Sequence, residues 1–278
     1  MVYAYFVHNY GWNEHVSPLI TTDELRSILG SVGLYDIRWD LTDPDSSRLR
    51  YQEGHIPGAV FVDLDTDLAG EPGVDGRHPL PGVEEFASTL GRLGISPDTD
   101  VVVYDDDAGR YASRLWWMLR SIGHERVRVL DGGLHSWEGP LERGSAEPVE
   151  VQYPVPKGFT GVVSHDQLSG RLVVDARATE RYRGDIEPVD PKAGHIPGAI
   201  NISTNANLQA DGRFRDIEEL RQTYQDLREP VMSCGSGVTA CHDALAMVAA
   251  GLGMPDVYIG SFSEWSRRDL PVTTGDEP

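Results

Sequence analysis

Glu53-Gly54-His55-Ile56-Pro57-Gly58-Ala59-Val60 returns 140 positions later as Ala193-Gly194-His195-Ile196-Pro197-Gly198-Ala199-Ile200, the offset being 195 − 55 = 140. Ahead of each copy stands a short apolar run carrying an acid, Tyr35-Asp36-Ile37-Arg38-Trp39 in the first half and Val173-Val174-Asp175-Ala176-Arg177 in the second. Behind each copy the pattern reads strand, loop and helix. The strands are Val101 to Asp105 and Val231 to Cys234. The helices show apolar residues at 3–4 spacing, through Ala112, Leu115, Trp116, Leu119 and Ile122, and through Val238, Cys241, Leu245, Val248 and Leu252. Gly123 and Gly251 or Gly253 stop these helices. A further strand follows in each half, Val127 to Leu130 and Val257 to Ile259.

Strands alternating with helices in two copies predict an α/β fold of two tandem domains, each with a mainly parallel sheet flanked by helices. The expected division is 1–145, a linker over 146–160, and 161–278. The stretch Glu138 to Phe159 carries Pro140, Pro148, Pro154 and Pro156 among glycines and charges and reads as a connecting segment.

At 278 residues, 40% hydrophobic and 24% charged, the chain has material for two cores and no apolar run near the roughly 18 residues that cross a bilayer. Met1 to Val7 lack a basic lead and make a poor secretory signal, which predicts a cytoplasmic protein with no membrane partner. The formal charge of −20 repels nucleic acid and anionic lipid, so an anion site has to be assembled from local cations. Two cysteines, Cys234 and Cys241, are too few for a disulfide framework or a four-thiolate zinc site. No metal cluster and no phosphate-binding P-loop is legible, so neither metal nor cofactor is expected.

The chemistry concentrates in Cys234-Gly235-Ser236-Gly237-Val238-Thr239-Ala240-Cys241. A thiol at the end of a strand and facing a helix start stands where backbone N–H groups converge and the helix dipole favours negative charge. The thiolate is the nucleophilic form, so Cys234 is the candidate nucleophile. Cys241, about two helical turns on, reads as a small buried hydrophobe. In the first half the equivalent position is Asp105, which cannot act as a sulfur nucleophile, so only the C-terminal half is expected to be catalytic.

With the duplication, the two GHIPGA segments and the Cys-Gly-Ser-Gly-Val-Thr loop, the chain resembles the two-domain rhodanese family of sulfurtransferases over nearly its whole length. The loop is most similar to that of the 3-mercaptopyruvate branch; the thiosulfate branch places cations there. The resemblance implies transfer of a sulfane sulfur from mercaptopyruvate through a Cys234 persulfide to a thiol such as thioredoxin or glutathione, or to cyanide. It implies a cradle of N–H groups from Gly235, Gly237, Val238, Thr239 and Ala240, and a proton relay of a serine, a histidine and an aspartate. Ser236 matches the serine and His55 the histidine, while Asp43 and Asp45 both suit the aspartate. His195, the repeat copy of His55, reads as a turn-stabilising residue, and His55 is open to the same reading. Arg181 matches one substrate-carboxylate arginine; the second is missing from Glu187-Pro188-Val189-Asp190-Pro191-Lys192, where Arg183 or Lys192 could supply a cation or merely sit in solvent. A cysteine phosphatase would need histidine and arginine where this chain has Ser233 and Ala240. Thiosulfate as donor, or a non-catalytic persulfide carrier or thiol sensor, are the alternative functions.

Overall fold

The computed structural model describes residues 17–277. The reading of Met1 to Val7 lies outside the described residues. In the N-terminal half the strands are β1 (Leu19–Ile20), β2 (Gly33–Asp36), β3 (Val60–Phe61), β4 (Val101–Tyr104) and β5 (Val127–Leu130). In the C-terminal half they are β6 (Val162–Val163), β7 (Val173–Asp175), β8 (Ile200–Asn201), β9 (Val231–Ser233) and β10 (Asp256–Tyr258). The first sheet runs β1-β5-β4-β2-β3 and the second β6-β10-β9-β7-β8, the same order in both, with parallel pairing throughout. β4 and β9 are central and buried along their whole length. Continuous rather than alternating apolar character follows from helices covering both faces of a parallel sheet.

Those helices are α1 (Thr22–Ile28), α2 (Pro44–Glu53), α3 (Leu64–Asp67), α4 (Val83–Arg92) and α5 (Ala112–Ser121) in the first half. In the second they are α6 (Thr179–Arg183), α7 (Ile217–Tyr224), α8 (Ala240–Ala249) and α9 (Ser261–Arg267). Local chemistry sets their starts. Thr21 and Glu24 form a capping box on α1, Asp63 accepts the N–H groups of Asp65 and Thr66 at α3, and Asp216 caps α7.

The repeat has a structural cause. Asp36 holds the Arg38 guanidinium through Nε at 2.9 Å and Nη2 at 2.6 Å, and Arg38 Nη2 also donates to the Gly54 carbonyl at 3.0 Å. Asp175, Arg177 and the Gly194 carbonyl repeat the arrangement, with the last bond at 2.7 Å. In both halves a buried ion pair at the strand end therefore pins the glycine of GHIPGA. The strand ladder stops at that acid, so β2 ends at Asp36 and β7 at Asp175, short of the runs that continue to Trp39 and Arg177.

The segment from Glu138 to Phe159 contains no regular element, as its prolines dictate. It is clamped to the first half: Val151 N–H donates to Gly91 O at 3.0 Å, and Phe159 packs on Phe86. A Cβ on Gly91 would stand 2.5 Å from the Val151 carbonyl oxygen, so that helix position accepts only glycine. The halves join through α5 and α8. Their facing residues, including Leu115, Trp116, Leu119, Cys241, Ala244 and Leu245, belong to one hydrophobic cluster.

Candidate active site

Cys234 directly follows β9 and is 1% exposed. Its own N–H donates to the Ser261 hydroxyl at 3.1 Å, and its carbonyl accepts from Phe262 N–H, so the start of α9 braces the loop from behind. Gly237 N–H donates to Cys234 Sγ at 3.1 Å. Gly237 sits at φ +75°, and a Cβ there would come 2.3 Å from the Ile259 carbonyl oxygen. Glycine is therefore required for the loop to fold back and present an amide to the sulfur. Gly235 C=O accepts from Ser263 N–H, while the carbonyls of Val238 and Thr239 accept from Cys241 and His242 and turn the chain into α8 at Ala240. In this geometry the loop N–H bonded to the sulfur is that of Gly237.

Ser236 Oγ lies 2.8 Å from His78 Nδ1, and His78 Nε2 lies 3.0 Å from Asp65 Oδ1. A serine, a histidine and an aspartate thus stand in series beside the thiol. Burial lowers the His78 pKa from its ordinary value, opposed by the Asp65 carboxylate, so the ring is neutral near pH 7 and able to exchange a proton with the hydroxyl. Burial pushes the Asp65 carboxyl up, but bonds from His78 and Trp39 outweigh it and hold it below its usual range.

The histidine that meets Ser236 is not the expected His55. His55 is 1% exposed, stacks on Tyr51 at 4.0 Å and directs Nδ1 to the Tyr51 carbonyl at 2.8 Å. His195 does the same with Tyr182, at 3.8 Å and 2.8 Å. Tyr51 and Tyr182 in turn donate to Ala59 O and Ala199 O, each at 2.6 Å. Both histidines are locked into the fold of their own turns, and the ring that meets Ser236 is His78. Asp43 and Asp45 are exposed at the start of α2, and the acid on His78 is Asp65. His78 and Asp65 lie in the excursion between β3 and α4 and have no copy in the second half, so comparing repeats could not find them. A histidine outside the repeat, in Gly76-Arg77-His78-Pro79, was the available signal.

Above the thiol loop two guanidiniums converge. A Cβ on Gly235 would stand 3.1 Å from Arg77 Nη2 and 3.5 Å from Arg181 Nη1. Both side chains are largely but not wholly buried, 16% and 20% exposed. Asp190 pairs with Arg77 and, at 3.2 Å, with Arg181; Glu187 pairs with Arg181 at 2.7 Å. Glu187 is pushed up by burial, yet Arg181 and the Val189 and Asp190 amides bring it below its usual range. Arg181 thus stands over the thiol loop. The cation beside it is Arg77, from the other half. Arg183 pairs with Asp276 and Lys192 with Asp269 at 2.6 Å, away from the loop. Among the described residues no group of three or more His, Cys, Asp or Glu side chains is disposed to hold a metal ion.

The rhodanese-like domain model matches residues 21–140 and again 164–268. The chain is 41% identical over 283 residues to the "Probable 3-mercaptopyruvate sulfurtransferase" of Pseudomonas aeruginosa, covering 94% of this chain and 99% of that protein. It is 37% identical to the thiosulfate sulfurtransferase of Rattus norvegicus, covering 96% of each. Among solved structures, the 3-mercaptopyruvate sulfurtransferase from Leishmania major superposes with a TM-score of 0.83 at 30% identity, over 92% of this chain and 75% of that one. Two matched domains, a thiol loop at the end of the second central strand and relatives of full length together place the chain in the rhodanese family of sulfurtransferases.

Proposed function

We propose that the chain takes sulfane sulfur from 3-mercaptopyruvate and passes it, through a persulfide on Cys234, to a thiol such as thioredoxin or glutathione, or to cyanide. The observation that carries this reading is the Ser236–His78–Asp65 series beside a thiol whose loop holds no cation of its own. The Cys234 thiolate forms an S–S bond to the donor sulfur, the C–S bond breaks, and its electron pair leaves as the enolate of pyruvate. The donor's thiol proton passes by way of Ser236 and His78 to the enolate carbon, and the acceptor thiol later takes the outer sulfur.

Arg77 and Arg181 meet the donor carboxylate over Gly235. Their surroundings favour one negative charge over two: the guanidiniums of Arg77, Arg177, Arg181 and Arg267 face the carboxylates of Asp175, Glu187 and Asp190, so the cluster carries about one net positive charge before substrate enters. A dianion such as thiosulfate gains less there than a monocarboxylate. The lack of any helix long and apolar enough to cross a membrane, among the described residues, suits work in the cytoplasm.

The test compares kcat/KM for mercaptopyruvate and thiosulfate with one acceptor thiol, following pyruvate and sulfite, and weighs the donor-treated protein for one added sulfur on the peptide bearing Cys234. Preference for mercaptopyruvate with that adduct supports the reading. Preference for thiosulfate overturns the donor, and stoichiometric labelling without turnover identifies a carrier.

A further inference from the structure

Arg114, on α5 of the N-terminal half, is fully buried. Its Nη1 donates across the interface to the Gly237 carbonyl at 3.0 Å, and its Nη2 donates to His78 O at 3.0 Å and Leu68 O at 3.2 Å. Nε has no partner. Among the described residues no carboxylate lies within ion-pairing distance of this guanidinium, whereas the other buried arginines, Arg38 and Arg177, each rest on an aspartate. A buried charge without a counter-ion is costly, and carbonyl dipoles offset only part of that cost.

Two thiols, Cys241 and Cys234, favour the charge on Arg114, and that charge in turn opposes protonation of His78. Burial pushes Cys241 up to about 12, opposed by Arg114, so Cys241 stays protonated at physiological pH, donating to Gly237 O at 3.3 Å. The remaining sulfur is Cys234. Gly237 connects it to the arginine, with its N–H on Sγ and its carbonyl on Nη1.

We propose that Arg114 is the buried counter-charge of the anionic sulfur on Cys234, a positioning residue that seats the thiol loop and the His78 segment on one cation from the other half. The inference rests on the persulfide reading for its anion. The other charged groups around the thiol are Arg77 and Arg181 with their partners Asp190 and Glu187 above Gly235, and His78 with Asp65 behind Ser236.

Two measurements on the full chain, both without sulfur donor, test it. The first is the ultraviolet thiolate absorbance at neutral pH, taken as the difference from Cys234→Ser in the same background. Arg114→Met is expected to lower the thiolate fraction about tenfold, and Arg114→Lys, which keeps the charge, to retain at least half of it. An unchanged signal in Arg114→Met, or equal loss in both variants, overturns the proposal. The second does not depend on Arg114→Met folding: the thermal midpoint of Cys234→Asp against Cys234→Ser. A carboxylate that meets a waiting cation leaves Cys234→Asp at least as stable as Cys234→Ser; a clearly lower midpoint overturns the proposal. Because neither readout involves mercaptopyruvate, failure of the donor assignment leaves both results standing.

Discussion

At the end of its central strand each half of the molecule turns one side chain into a nest of backbone amides, and the two nests are filled differently. In the N-terminal half the Asp105 carboxylate takes four N–H bonds, from Asp107 and Gly109 on Oδ1 and from Tyr111 and Ala112 on Oδ2, each at 2.8 Å. Burial raises its pKa to about 6, and the amides work against that rise. In the C-terminal half Cys234 Sγ accepts from Gly237 alone among the loop amides. The fold thus supplies an anion receptor twice. The first copy is occupied by the chain's own carboxylate. The second holds the Cys234 sulfur, and around it gather groups from the opposite half: Asp65, Arg77, His78 and Arg114.

The largest expected break in this comparison is at the two strand ends themselves. Cys234→Ser should lower kcat/KM for mercaptopyruvate by at least about 10⁴-fold and abolish the sulfur adduct in mass spectra, whereas Asp105→Asn leaves both within about twofold. Next comes the pair of histidines. His78→Ala should lower kcat about 10²–10³-fold with the Cys234 adduct still forming slowly, while His55→Ala leaves kcat within about threefold and costs about 1–3 kcal/mol in urea unfolding. Equal kinetic losses would remove the distinction between relay and turn. Arg77→Ala and Arg181→Ala should each raise KM for the carboxylate donor about tenfold or more with a smaller change in kcat; a KM that stays put would take that arginine out of the site.

Two stability measurements sharpen the contrast between buried acids. Asp105→Asn deprives part of its nest of an acceptor and should cost about 2–4 kcal/mol. Asp243 on α8 is the opposite case: burial raises it to about 8, Asn207 donates to its Oδ1 at 2.7 Å, and Oδ2 has no partner. The native chain keeps that proton up to about pH 8, while the unfolded chain loses it near about 3.9. The unfolded state therefore binds fewer protons between those values, and stability declines as pH rises through them. Asp243→Asn should be the more stable chain near pH 8 by about 1–3 kcal/mol relative to its standing near pH 4, read from urea midpoints across the range; parallel pH profiles for both chains would refute it.

How much of this was legible beforehand follows from the range of each interaction. Local pattern was sufficient for β5, which spans Val127–Leu130 as the apolar run does, for the helices α5 and α8, and for the position of Cys234 between a strand and a helix start. The duplication even carried its own structural reason, since Asp-x-Arg and the glycine of GHIPGA bond to each other in each half. The same duplication hid the histidine at Ser236: His55 and His195 recur with the same stacking on Tyr51 and Tyr182, while His78 stands outside the repeat.

The chain's own order of residues determined two α/β halves, one with a thiol and one with a carboxylate at the end of its central strand, because strand periodicity and loop glycines are written over short distances. The packing of α5 on α8 decided which histidine meets Ser236, which arginine joins Arg181 and which cation lies under the thiol. His78, Arg77 and Arg114 are 158, 104 and 123 positions from Ser236, Arg181 and Gly237 (236 − 78, 181 − 77, 237 − 114). Only burial of the shared interface brings those pairs together, and no local pattern encodes that distance.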